Sequence, residues 1–199
     1  ITETGYGQYQ VVDNRTASWS AADIATSADG AMDVHLADVN RDGYLDIVYV
    51  STHDDTLGWY ENNKDRNPSF TTKHEITTSE DSVNGIFVAD LDGDGDLDIV
   101  SASANDDTIA WFEGTGYGGF YGAKDISTSA DQASKVFVAD LDGDGDLDIV
   151  SSSRGDDTIA WYENDGADDP TFTAADIATS ADGAQDVHVA DLDGDGDLD

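Results

Sequence analysis

Short apolar runs separated by clusters of Gly, Asp, Asn and Ser recur along the whole chain. No stretch keeps a 3.6-residue apolar period over ten residues, so the pattern predicts strands and turns and no helix. In the clearest stretch, four strands are predicted at 136–139, 147–152, 158–163 and 173–177, each rich in β-branched or aromatic residues. In Ile159-Ala160-Trp161-Tyr162, odd and even positions are both apolar, and Val136-Phe137-Val138-Ala139 behaves the same way. A sheet with one wet face would alternate apolar with polar residues. These sheets are therefore expected to bury both faces, as a sheet stacked between two others does. The fourth strand is more polar, which fits an outer edge.

The pattern repeats. Val88–Val100 recurs almost unchanged as Val138–Val150, restarts at Val189, and has a looser copy over Leu36–Val48. The acidic part begins at Asp38, Asp90, Asp140 and Asp191, giving spacings of 52, 50 and 51 residues. Asp-Asp-Thr keeps step at 54–56, 106–108 and 156–158, and each copy is followed by a strand of the Ile-Ala-Trp-Tyr-Glu type. A Thr-Ser-x-Asp turn signal stands at 26–29, 78–81, 128–131 and 179–182. Cutting before each Ile-Val strand gives one repeat domain over 1–199 with units 1–46, 47–98, 99–148 and 149–199. The first unit is degenerate: Ile1-Thr2-Glu3-Thr4 stands where Ile149 begins a later strand, and Trp19 takes the place of Phe172. Units of about 50 residues with four strands match the period of β-propeller blades.

Each acidic copy reads Asp-x-Asp-x-Asp-Gly-x-x-Asp. Alternate residues of a tight loop can turn their carboxylates to one point, and the Gly after the third donor supplies the sharp turn, as in an EF-hand loop. The expected donors are Asp90, Asp92, Asp94, the backbone carbonyl of Asp96, and Asp98. The same set recurs as Asp140, Asp142, Asp144, Asp146 and Asp148, and as Asp191, Asp193, Asp195, Asp197 and Asp199. The first copy is Asp38, Asn40, Asp42, Tyr44 and Asp46, in which an amide replaces one carboxylate and the site is expected to carry less charge. An all-oxygen shell selects Ca²⁺ over Zn²⁺ or Cu²⁺, and Mg²⁺ prefers fewer protein ligands. Asp-Gly also serves plain turn chemistry, but four copies in one register crowd too many carboxylates to be left without a cation. Four Ca²⁺, one per repeat, are expected, each bound with a Kd of roughly 10⁻⁴ to 10⁻³ M as in other extracellular modules.

Composition agrees. There are 44 acidic residues against 8 Lys and Arg, a formal charge of −36. Self-repulsion of that size opposes a compact state unless cations sit among the carboxylates. A polyanionic partner would be repelled and no basic stripe exists, so nucleic acid is not expected as a partner. No apolar run reaches transmembrane length, so membrane insertion is not expected either. With no cysteine, neither a disulfide framework nor a thiolate metal site can form.

At these loops, and at the strands typified by Ile159–Asn164, the chain resembles the FG-GAP/VCBS repeat family of integrin-α-like calcium-binding propeller repeats. The resemblance covers nearly all of residues 30–199 and is weaker over 1–29. It implies an all-β fold of tandem four-stranded propeller blades, each holding Ca²⁺ between its first two strands, in a segment of a longer or polymeric array. It also implies an extracellular place, secreted or at the cell surface.

The remaining candidates favour packing. Trp59, Trp111 and Trp161 recur at one strand position, as core residues do, although they could serve as sugar platforms. His35 and His188 stand where Phe87 and Phe137 stand in other units, which marks a packing position. His53 and His74 are isolated. The acidic pairs recur in every unit, whereas an active site occurs once, and Arg15, Arg41, Arg66 and Arg154 are scattered. A non-catalytic structural or adhesive protein is expected, with self-association or other surface proteins as partners and head-to-tail filaments as its assembly. The alternatives are a glycan-binding, lectin-like propeller and the propeller domain of a polysaccharide lyase. Asn14-Arg15-Thr16 is an N-glycosylation sequon.

Overall fold

The structure is a computed structural model. It describes the backbone of residues 2–4 and 8–10, and all of residues 23–199. Trp19 and the Asn14 sequon of the degenerate first unit lie outside the described residues. Strands β1 (Thr2–Thr4) and β2 (Gln8–Gln10) form an antiparallel pair.

Twelve further strands make three four-stranded antiparallel sheets, and the described residues contain no helix. The first sheet has β3 (Ala31–Ala37), β4 (Asp46–Ser51), β5 (Thr56–Glu61) and β6 (Thr72–Thr77) in that order. The second has β7 (Val83–Ala89), β8 (Asp98–Ser103), β9 (Thr108–Phe112) and β10 (Lys124–Ser127). The third has β11 (Ala133–Ala139), β12 (Asp148–Ser153), β13 (Thr158–Asn164) and β14 (Phe172–Ala178). Every neighbour in a sheet is its neighbour in sequence, so each sheet is a meander. The predicted strands over 136–177 are all present. The first is three residues longer at its start, where a bulge between Ala133 and Lys135 lets it continue.

Strands β8 and β9 are buried on both faces, whereas β10 and β14 are largely exposed edges. One face of each sheet packs on the opposite face of the next. Val48, Val50, Leu57 and Trp59 meet Ile86, Val88, Ile99 and Phe112. Val100, Ala102, Ile109 and Trp111 meet Val136, Val138, Ile149 and Tyr162. The first strands β3, β7 and β11 lie side by side. Their rings form a ladder, with centroids 5.0 Å apart for His35–Phe87, 4.9 Å for Phe87–Phe137 and 4.6 Å for Phe137–His188. Histidine thus occupies a packing position in that ladder.

The hairpin between the second and third strand of each sheet turns on Asp-Asp-Thr. Its second aspartate takes a left-handed backbone, with φ of 51° at Asp55, 57° at Asp107 and 58° at Asp157. Asp tolerates that region better than most residues. The side chain then reaches the segment beyond the fourth strand of its sheet: Asp55 accepts the N–H of Ser82 at 3.0 Å, Asp107 that of Gln132 at 2.9 Å, and Asp157 that of Gly183 at 2.8 Å. The hairpin of one blade is thereby tied to the entry of the following one.

Candidate metal centre

Each of the first three acidic loops joins the first and second strand of its blade, whereas no strand flanks the fourth, at 191–199. Asp140 opens the third loop and accepts the N–H groups of Gly143 at 2.8 Å and Gly145 at 3.1 Å. Asp142 and Asp144 accept from the residues two further on, at 3.1 and 3.0 Å. These short local bonds coil the loop and bring its carboxylates together. The fourth loop repeats the arrangement, with Asp191 accepting from Gly194 and Gly196. Gly95 and Gly145 at the sixth position have φ of 90° and 103°, which suits glycine.

Three loops gather oxygen donors. Asp90, Asp92 and Asp94 offer one carboxylate oxygen each within 4.8 Å of one another, as do Asp140, Asp142 and Asp144, and Asp191, Asp193 and Asp199. Asp90 Oδ1 is buried and has no hydrogen-bond partner. An orphaned carboxylate oxygen inside an all-oxygen cluster is what a hard cation would satisfy, so the donor set fits Ca²⁺.

The ninth-position aspartate does a second job. Asp98 accepts the N–H of Leu91 at 2.8 Å and of Gly114 at 2.7 Å, so one carboxylate ties its loop to the segment after β9. Asp46 does the same with Val39 and Asn62, and Asp148 with Leu141 and Asn164. All three are fully buried or nearly so. Burial pushes the carboxyl of Asp98 up to about 6, against the pull of its two N–H bonds, and raises those of Asp46 and Asp148 for the same reason. Asp92 is likewise raised by burial.

At the seventh position the expected donor is the backbone carbonyl. The side chains of Asp96 and Asp146 lie against Gly116 and Gly166, where an added Cβ would collide with the carboxylate. The first loop differs. Tyr44 stands at its seventh position and is 45% exposed, and Lys64 Nζ lies 2.9 Å from Asp42 Oδ2. That ammonium holds the Asp42 carboxyl below its ordinary range. Arg41 of this loop reaches Asp96 of the second.

Two of the three recurring tryptophans are core residues, whereas Trp161 is half-buried. Trp59 is 2% and Trp111 1% exposed. Trp59 donates to the carbonyl of Gly118 at 3.2 Å and stacks on His74, and Lys124 Nζ sits 4.3 Å over the Trp111 ring. Besides Tyr44, the exposed aromatics among the described residues are on the segment after β9, where Tyr117 is 88% and Tyr121 58% exposed. The Asp-Asp-Thr ties were not legible as sites, although their strict recurrence was a visible signal.

A family model described as FG-GAP-like repeat matches residues 48–101, 90–151 and 140–199. Among curated proteins, none matches the sequence. An Agrocybe aegerita lectin, solved to show specific recognition of non-reducing terminal N-acetylglucosamine, is 25% identical with a TM-score of 0.50. That match covers 72% of this chain and 37% of the lectin. The V. cholerae biofilm matrix protein Bap1 is 16% identical with a TM-score of 0.37, covering 78% of this chain and 30% of that one. The chain spans about a third of the length of either solved structure. Among the described residues, no helix is long and apolar enough to cross a membrane.

Proposed function

Because the chain belongs to the FG-GAP-like repeat family, we propose that it is a non-catalytic extracellular repeat protein whose propeller blades are stabilised by Ca²⁺ and which associates with other surfaces, including copies of itself. The observation that carries the calcium reading is the in-register recurrence of the Asp90, Asp92, Asp94 cluster as Asp140, Asp142, Asp144, together with the orphaned Asp90 Oδ1; the fourth loop gathers Asp191, Asp193 and Asp199 instead. Asp90, Asp92 and Asp94 would hold the ion in the second loop, with Asp98 closing the shell, and Asp140, Asp142, Asp144 and Asp148 in the third. Bound Ca²⁺ supplies positive charge that offsets the mutual repulsion of these carboxylates. It stabilises only the folded chain, since the cluster does not exist in the unfolded one.

The non-catalytic reading is supported by repetition: each acidic cluster has a near copy in the next blade, so none is set apart for chemistry. The self-association reading is supported by the face of the first sheet that no other sheet covers among the described residues. Val34 is 62% and Leu36 60% exposed, while their counterparts Ile86, Val88, Val136 and Val138 are buried under the preceding blade. That face is shaped to receive another blade, and head-to-tail stacking of a second copy would cover it.

A second reading, glycan binding, is favoured by Tyr117 and Tyr121. They are displayed on a glycine-rich segment braced by the Thr115 N–H to Gly119 carbonyl bond and by the Trp59 bond to Gly118. Rigid tyrosines flanked by small residues make good recognition surfaces. Likeness to the lectin adds to this reading.

Light scattering and negative-stain microscopy in millimolar calcium, then in chelator, test the first reading. Long particles that shorten or unfold in chelator support it. Compact monomers in both buffers remove the polymer, and particles indifferent to chelator remove the calcium. A glycan array with Tyr117→Ala as control tests the second.

A further inference from the structure

The first acidic loop is built unlike the others, and its differences form one set. Residue 64 lies two positions after Asn62, whose N–H bonds Asp46, just as Gly116 follows Gly114 and Gly166 follows Asn164. The turn is the same in kind: Lys64 N–H donates to Asn62 Oδ1 at 2.9 Å, and Gly166 N–H to Asn164 Oδ1 at 3.0 Å. The backbone is also the same, with φ of 64° at Lys64, 72° at Gly116 and 67° at Gly166. A left-handed backbone favours glycine over lysine, so the lysine is placed there against local preference.

Space explains how it fits. At Gly116 a Cβ would lie 2.5 Å from Asp96 Oδ1, so any larger residue there requires the seventh-position carboxylate to move. In the first loop that aspartate is Tyr44, and the carboxylate that would block residue 64 is gone. The vacated room is used by a chain that carries its ammonium to the third donor, 2.9 Å from Asp42 Oδ2. Asn40 removes one more negative charge from the same loop. Its fourth residue, Arg41, stands at φ 57° where Gly93 and Gly143 stand in the next two loops, and pairs with Asp96 across the blade junction. None of the other three acidic loops contains a basic residue.

We propose that the first loop carries the Lys64 ammonium in the place of Ca²⁺, a built-in cation that neutralises Asp42 and makes this blade independent of the metal. This rests on the calcium reading of the second and third loops and changes the ion count of the whole chain. Asp38 still coils the loop by accepting the N–H groups of Asp42 at 2.9 Å and Gly43 at 2.8 Å. Asp46 still joins it to residue 62, so the loop keeps its shape with a different cation.

The test is to count calcium ions on the full chain by native mass spectrometry. Asp90→Asn and Asp140→Asn are each expected to lose one ion relative to the unmodified chain, and Asp38→Asn to lose none. Lys64→Gly, which copies the other blades, is expected to gain one ion, and the gain is expected to vanish in Lys64→Gly with Asp38→Asn. Lys64→Met keeps the length of the side chain and drops its charge, and is expected to show the same gain should the glycine variant fold poorly. Loss of an ion in Asp38→Asn overturns the proposal, as does the absence of a gain in both Lys64 variants. The calcium reading of the other loops is judged separately, from Asp90→Asn and Asp140→Asn alone.

Discussion

Lys135 Nζ lies 2.7 Å from Asp33 Oδ2, although Lys135 belongs to β11, Asp33 to β3, and β7 runs between them. The lysine passes over Gly85, where an added Cβ would meet Lys135 Cδ and the Ser134 carbonyl at 2.9 Å. Asp33 also accepts the N–H of Ile86 at 3.1 Å, so one carboxylate joins three blades. Both charged side chains are about three-quarters covered. A double-mutant cycle with Asp33→Ala and Lys135→Ala is expected to give a coupling of about 1 kcal/mol, reduced by salt. Gly85→Ala is expected to cost about 2 kcal/mol by overpacking and to cut that coupling sharply. Urea denaturation of the four chains of the cycle, in each background, measures both.

Asp98 holds two backbone N–H groups in a buried site. Asp98→Ala leaves both without a partner, and each buried donor so abandoned costs about 1–3 kcal/mol. The variant is expected to lose roughly 3 kcal/mol in chelator as well as in calcium. A loss seen only in calcium would mean that the carboxylate serves the ion and not the backbone.

The pH dependence should change sign with calcium. The carboxyls of Asp46, Asp98 and Asp148 are raised by burial, that of Asp98 to about 6. Without metal, the folded chain therefore binds more protons than the unfolded chain between the ordinary carboxyl range, about 4, and about 6. Stability in chelator falls as pH rises through that window, and the midpoint of thermal unfolding is expected to be higher at pH 5 than at pH 7. Burial raises the carboxyls of Glu80, Asp92 and Asp106 as well, and Asp42, lowered by Lys64, and Asp165, lowered by its bonds to Thr171, run the other way as two groups against six. In saturating calcium the ion competes with protons for the same carboxylates, so stability rises with pH. Scanning calorimetry across this range in both buffers checks it.

Asp107 tests the tie between blades. It stands at φ 57° and accepts the N–H of Gln132 at 2.9 Å. Asn tolerates this backbone and keeps an acceptor oxygen, whereas Ala does neither. Asp107→Ala is expected to cost about 2 kcal/mol and Asp107→Asn under half of that. Equal losses, measured by denaturation, would assign the effect to charge.

Much of this was legible because repetition compares the chain with itself. Apolar residues on both faces of Ile159–Tyr162 indicated a stacked sheet; Ala160 and Tyr162 are buried against the second sheet, whereas Ile159 and Trp161 on the other face are half-buried. The phase of the acidic motif placed the loops between first and second strands. What escaped was long-range and asymmetric. Lys64 and Asp42 are far apart along the chain, and nothing local to either announces the contact. The collision that keeps Gly166 a glycine depends on where Asp146 points, which only packing decides. Asp98 reads as a ligand from its spacing, yet its bonds to Leu91 and Gly114 depend on how the loop closes on the strand after it.

The open face of β3 gives the sharpest contrast within one chain. Val34 and Val136 occupy the same position in their blades, but Val34 is 62% exposed while Val136 is 4% exposed beneath the second sheet. Val136→Asp buries a carboxylate without a partner and is expected to cost 4 kcal/mol or more, on the order of the most damaging single substitutions. Val34→Asp leaves its carboxylate in water and is expected to change the stability of the monomer by less than about 0.5 kcal/mol. If a second copy covers this face, the same substitution places a charge in an apolar contact. Particles that sediment as assemblies in calcium should then run as monomers, with the fold intact by circular dichroism. Assembly that survives Val34→Asp together with Leu36→Asp would show that copies meet through another surface.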